Sequence, residues 1–268
     1  MKKIAVLLVL VLAAIACATN PYTGKSTMAL VNNDSLLASS FSQYRQFLNE
    51  STVITGTAEA VMVDRVGGRI RQAAEKWAAS SGQSAYLDKY QWEYHLVRSN
   101  EVNAWCMPGG KIVVYTGILP VTGDEEGLAV VLGHEVAHAL LNHGQQRASA
   151  GVLQQAGAVG VGVLTAGKSQ AAQELAQAAY GTGSTVMGTL PFSRSHESEA
   201  DHIGLILMAI AGYNPDLSVT FWERMSALGG GGTPQFLSTH PSDETRISSL
   251  RGWIPEARQK AGEIGVIR

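Results

Sequence analysis

The chain has 268 residues, 46% of them hydrophobic, with 20 basic and 22 acidic side chains and a formal charge of −2. That is enough apolar material for one sizeable core. A mildly acidic chain without basic clusters excludes an electrostatic footprint for nucleic acid, and two cysteines exclude a disulfide scaffold.

Lys2 and Lys3 precede an apolar run from Ile4 to Ile15, followed by Ala16 and Cys17. A charged start, a short apolar stretch and a small residue at the cut are the layout of a secretory signal over residues 1–16; a membrane span would need about 20 apolar residues. Ala14-Ile15-Ala16-Cys17 resembles a bacterial lipobox, which makes Cys17 the expected lipidation site and a membrane the expected partner through that lipid. Losing Lys2 and Lys3 with no acid moves the formal charge from −2 to −4. Cys106 is then left without an intramolecular partner. Residues 17–32, with Pro21 and Gly24, read as a tether, and 33–268 as the folded domain. Ala18 after the cysteine points to the periplasmic side of a bacterial outer membrane, with inner-membrane anchoring or free periplasmic location as alternatives.

Leu37, Phe41, Tyr44 and Leu48 recur at helical steps, and a second helix is predicted from about Thr57 to Ser80. Alternation over 91–97 and the β-rich run Lys111 to Tyr115 predict strands, separated by a turn at Pro108-Gly109-Gly110. An antiparallel sheet is the economical arrangement. A helix follows Thr122, whose pairing with Glu125 fits a capping box, and its apolar face continues to about Arg147. The segment 148–190 is rich in Ala, Gly, Gln and Ser, with Glu174 its only acid and Lys168 its only base. Within it, 151–183 is too interrupted to span a bilayer and suits core helices, a lid or a membrane-facing flap. A last helix runs from about Ser195 to Ala211, closed by Gly212.

The chemistry concentrates in two of these helices. His134-Glu135-Val136-Ala137-His138 puts two imidazoles at i and i+4 on one helix face, with a carboxylate beside the first able to serve an attacking water as general base. Such imidazoles, set among Val130, Val131, Leu132, Leu140 and Leu141, would be costly to bury without a partner. A catalytic zinc takes three protein ligands. His143 is a weak candidate for the third and reads as a helix-end residue, because Leu141 and Gly144 stand where a second common zinc motif needs glycine and histidine. Glu197 and Asp201 are again i and i+4: one can bind zinc while the other accepts the free ring N–H of a ligand histidine. Gly204 would let the two helices approach closely.

Asn103-Ala104, Pro108-Gly109-Gly110, the HEVAH and ESEAD segments, and Thr239-His240-Pro241 with Arg246-Ile247 together resemble the HtpX and CAAX-prenyl-protease family of zinc metallopeptidases, metallopeptidase family 48. The nearest likeness is to its small periplasmic lipoprotein branch of LoiP type. The resemblance implies a mainly helical α+β fold of zincin type (gluzincin-like) with a small antiparallel or mixed sheet, one zinc per chain and Glu197 as third ligand. It also implies an active-site place for His240, as oxyanion stabiliser or resting-state fourth ligand, and a cleft role for Arg246. Asn103 and Ala104 are expected on an exposed strand edge that takes an extended substrate. Cys106 departs from the small or apolar residue expected there. His95, His196 and His202 read as surface or supporting residues. The expected function is an endopeptidase of misfolded or misassembled envelope proteins; the alternative is a chaperone-like lipoprotein with a latent, self-closed zinc site.

Overall fold

A computed structural model describes residues 17–184, 190–228, 234–240 and 244–265. The expected leader over 1–16 and Pro241 lie outside these residues. Where a tether is expected, the strands β1 (Cys17–Thr19) and β2 (Ser26–Met28) pair antiparallel, and Asn20 and Tyr22 between them are buried. Helix α1 (Asn33–Glu50) follows, capped by the Asn32 side chain. After β3 (Val53–Ile54) comes α2 (Ala58–Ser80), whose Thr57 hydroxyl accepts from the Ala60 amide as an N-cap. The strands β4 (Glu93–Val97), β5 (Ala104–Met107) and β6 (Lys111–Tyr115) complete a four-stranded sheet in the order β3-β4-β6-β5.

The sheet is mixed. β5 and β6 form the hairpin that Gly109 and Gly110 allow, both at positive φ, while β4 pairs β6 in parallel, Tyr94 opposite Ile112. The antiparallel expectation fails at that one pairing because β5 turns outward and leaves the inner place beside β6 to β4. β5 is therefore an edge strand.

The short α3 (Leu119–Thr122) leads into α4 (Glu125–Leu140), in which every residue from Gly127 to Leu140 is buried. A helix apolar all round belongs at the centre of a core. Its C-terminal carbonyls are satisfied by side chains: Leu140 accepts from Asn20 Nδ2 and from the Tyr86 hydroxyl, each at 2.7 Å, and Ala139 from the Tyr90 hydroxyl at 3.0 Å. Val66 and Ile70 of α2, Ile112 and Val114 of β6, and Leu128, Leu132 and Val136 of α4 share one core. Each such side chain contributes about 1.5–3 kcal/mol.

Helices α5 (His143–Thr165) and α6 (Gln170–Ser184) form a hairpin that leaves this core. Beyond Ser149 none of its described residues is buried, and Leu164 is 82% exposed, so 151–183 do not form core helices. No described helix is long and apolar enough to cross a membrane. α7 (Leu190–Ile210) returns across α4, and α8 (Leu217–Ala227), α9 (Gln235–Thr239) and α10 (Glu244–Glu263) close that side. The whole is a mainly helical α+β fold of zincin type, with its histidine helix between sheet and helical layer.

Candidate metal centre

α4 starts two residues later than the sequence suggests. Asp124, not Thr122, is the cap, its carboxylate accepting from the Gly127 amide at 2.9 Å. Gly123, at φ 77°, ends α3 and turns the chain there. The helix also ends sooner than Arg147. Asn142 takes left-handed backbone at φ 54°, and α5 begins anew at His143. The break folds His143 back onto His138, with Nδ1 to Nδ1 at 2.8 Å.

α7 crosses α4 where two glycines meet. A Cβ on Gly204 would lie 2.7 Å from the His134 amide nitrogen, and one on Gly133 would lie 2.7 Å from the Gly204 carbonyl oxygen. This close approach delivers both carboxylates of α7 to the histidines. Glu197 sets Oε2 3.3 Å from His134 Nε2 and Oε1 3.3 Å from His138 Nε2. Asp201 Oδ1 is 2.9 Å from His134 Nδ1. Glu197 thus faces the two Nε2 atoms, while Asp201 takes the outer ring nitrogen.

His240, just after α9, joins from the far side: its Nδ1 is 3.0 Å from His134 Nε2 and 2.7 Å from Glu197 Oε2. One donor atom from each of His134, His138, Glu197 and His240 lies within 4.8 Å of the others. The set fits a metal. The Nε2 atoms of His134 and His138 stand 3.1 Å apart, and with both Nδ1 atoms engaged by Asp201 and His143, two lone pairs converge on one point beside a carboxylate. Nitrogen and carboxylate donors in that number suit one zinc ion.

The same crowding shapes the electrostatics. Burial disfavours the charged His134, but hydrogen bonds to Asp201 and Glu197 outweigh it and hold its pKa up at about 9. Burial would raise the Glu197 carboxyl; bonds from His134, His138 and His240 instead drive it far below the usual carboxylate range. Burial keeps His138 neutral, well below the ordinary imidazole value. Glu197 and His138 are thus held in the protonation states a metal requires, whereas His134 must give up its extra proton for a metal to bind.

Glu135 is 4% exposed. Its Oε2 accepts from the Cys106 amide of β5 at 3.3 Å, and its Oε1 lies 3.3 Å from His240 Nε2 without hydrogen-bond geometry. One oxygen is anchored and the other is open toward the donor cluster. Arg246 is buried. Its Nη2 donates to Asp201 Oδ1 at 2.6 Å, its Nη1 to the His240 carbonyl at 3.1 Å, and its guanidinium sits 3.2 Å from the Trp222 ring centre.

Asn103 and Ala104 lie where β5 begins. The Asn103 carbonyl accepts from the Tyr115 amide, so it belongs to the sheet, and its side chain ties down the Ala104 amide at 3.0 Å. By alternation the backbone groups of Ala104 and Cys106 point away from β6. His202 bonds Glu256 at 2.9 Å and His95 the Tyr44 hydroxyl at 2.8 Å, both away from the cluster. His196 is buried and stacked on His143. Gly133, Glu199 and Trp222 went unnoticed in the sequence; the available signal for His143 was the Asn142 before it, a residue that tolerates left-handed backbone.

Residues 65–254 match the model of Peptidase family M48. The chain is 42% identical over 176 residues to the mitochondrial metalloendopeptidase OMA1 of Schizosaccharomyces pombe, covering 65% of this chain and 50% of that one. It is 35% identical over 179 residues to the mitochondrial metalloendopeptidase OMA1 of Homo sapiens (64% and 34%), and 30% identical over 179 residues to the beta-barrel assembly-enhancing protease of Escherichia coli (63% and 36%). It spans between about a third and somewhat over half of such relatives. Fungal, plant and animal relatives bear mitochondrial names, several at higher identity than the bacterial protease, and this corrects the placement on the periplasmic side of a bacterial outer membrane, anchored at Cys17. That placement rested on the leader, an address read separately from the folded domain, and on the likeness to a periplasmic branch of the family. With a family match over more than two thirds of its length and a donor set that fits the zinc such peptidases use, the chain belongs to peptidase family M48.

Proposed function

We propose that this chain is a zinc endopeptidase that hydrolyses peptide bonds of misfolded or misassembled proteins, with His134, His138 and Glu197 as metal ligands and Glu135 as general base. The observation that carries it is the convergence of His134 Nε2, His138 Nε2 and the Glu197 carboxylate beside the open Oε1 of Glu135. When bound, zinc supplies Lewis-acid polarisation of the scissile carbonyl and acidification of water. Glu135 Oε1 takes the proton of the attacking water and returns it to the leaving amine, while the Cys106 amide steadies Oε2. Asp201 accepts the Nδ1 proton of His134, which turns the Nε2 lone pair toward the metal, and Arg246 holds Asp201 in place.

The Ala104 and Cys106 amides are engaged by Asn103 Oδ1 and Glu135 Oε2, so the edge strand β5 offers its outward Cys106 carbonyl to an extended peptide. Folded proteins rarely present such a strand, which favours misfolded substrates. The name of the Escherichia coli relative supports the same class. The finer placement in the LoiP-type branch is supported by the likeness of the Ala14-Ile15-Ala16-Cys17 segment, and Cys17 is exposed at the head of β1. Degradation of an unfolded casein, followed with and without a chelator, tests the proposal. Activity should vanish with the chelator and return with added zinc, and chelator-resistant cleavage would refute it.

A self-closed resting state is the second reading, favoured by the position of His240 among the donors. His240→Ala distinguishes the two roles. Faster cleavage marks His240 as a closing ligand, and slower cleavage at unchanged zinc content marks it as an oxyanion stabiliser.

A further inference from the structure

We infer that His143 and Glu199 form a positioning relay that fixes the tautomer of His138. The inference rests on the zinc reading above. Only one proton fits between His138 Nδ1 and His143 Nδ1 at 2.8 Å when both rings are neutral. If His138 presents a bare Nε2 toward Glu197 and the metal, its own proton must sit on Nδ1. His143 Nδ1 is then the acceptor, so the His143 proton sits on Nε2, the atom that faces Glu199 Oε2 at 3.4 Å. Lys25, from the N-terminal segment, pairs with that carboxylate. Each assignment follows from the one before, and together they match the arrangement Asp201 provides for His134.

The surroundings hold this geometry. His143 is fully buried and lies flat on His196, ring centres 3.9 Å apart with 10° between planes, and His196 Nε2 is 3.2 Å from Gln146 Oε1. On an unbroken helix, position i+5 would sit about 140° around from His138 and could not meet it. The left-handed Asn142 makes the contact. Two residues beyond Glu197, Glu199 faces away from the cluster and toward Lys25, which suits an orienting partner rather than a ligand.

The test combines zinc affinity, by competition with a chromophoric chelator, and imidazole tautomers, by nitrogen-15 NMR of labelled histidines with and without zinc. His143→Leu removes the acceptor and should weaken zinc about 10–100-fold. His143→Asn, whose Oδ1 can stand near the place of Nδ1, should recover most of that loss. A merely packing role for His143 would not give this ordering, since Leu fills the space better than Asn. The wild-type His143 ring should carry its proton on Nε2 in the zinc form. Should His143→Leu fail to fold, Glu199→Leu carries the test, with a severalfold loss of affinity expected. Wild-type affinity in the Leu variants, or a His143 protonated on Nδ1 beside bound zinc, would overturn the relay alone. A wild-type chain that takes up no zinc would overturn the metal reading and the relay with it.

Discussion

Arg246 Nη2 donates to Asp201 Oδ1 across 2.6 Å, and the same oxygen lies 2.9 Å from His134 Nδ1. Both partners of the ion pair are almost fully buried, with side chains 5% and 3% exposed. Removing one partner would leave the other as an uncompensated charge in the core. Arg246→Met should therefore destabilise the fold by about 3–5 kcal/mol in denaturant titrations. Arg246→Lys should recover less than half of that, because an ammonium cannot reach both Asp201 and the His240 carbonyl while stacking on Trp222. A loss below about 1 kcal/mol for Met would show that the pair behaves as an exposed one.

The glycine crossing makes a second expectation. Gly133→Ala places a methyl 2.7 Å from the Gly204 carbonyl, a backbone atom that cannot swing aside. The helices must separate, at a cost of about 1–3 kcal/mol. Separation moves Glu197 and Asp201 away from His134, so zinc affinity should fall together with melting temperature. Gly68→Ala, which meets nothing within 4 Å inside α2, is the control: it should leave zinc affinity unchanged and raise stability by about 1 kcal/mol, as alanine favours a helix interior.

Acid should unfold the protein through its buried histidines. Burial lowers His196 from 6.5 to about 3 and also lowers His143, so both are neutral in the fold, whereas the unfolded chain protonates them near pH 6.5. Between pH 6.5 and about 3 the unfolded state binds more protons, and stability rises with pH there. The contribution is complete above about pH 6.5 and drains away as pH falls toward 3. Urea midpoints should drop across that window, and His196→Gln should flatten the drop.

Much of this could be read from residues alone where the determinant is local. The i, i+4 spacing of His134 and His138 fixed a shared face, the same spacing placed Glu197 and Asp201 together, and the helix expected from about Thr57 to Ser80 runs from Ala58 to Ser80. The run Lys111 to Tyr115 is a strand with those bounds. Three features were hidden because their cause lies elsewhere in the chain or in one backbone angle. The parallel pairing of β4 with β6 depends on where β5 goes, and periodicity reports faces rather than neighbours. The break at Asn142 is invisible to a hydrophobic pattern that continues through Leu140 and Leu141. The burial of Asn20 depends on the end of α4 needing a partner for the Leu140 carbonyl, and that of Tyr22 on the Ala74 carbonyl and the Trp77 ring of α2.

The central claim is that Glu135 is the base and not a ligand, and one substitution separates those roles. Glu135→Gln keeps the size of the side chain and an oxygen for the Cys106 amide, while His134, His138 and Glu197 stay in place. A neutral amide cannot take the proton of water. At saturating zinc, with an unfolded protein as substrate, zinc stoichiometry should match wild type while cleavage falls by about 10²–10⁴-fold. Wild-type cleavage by the Gln variant, at equal zinc content, would contradict the mechanism.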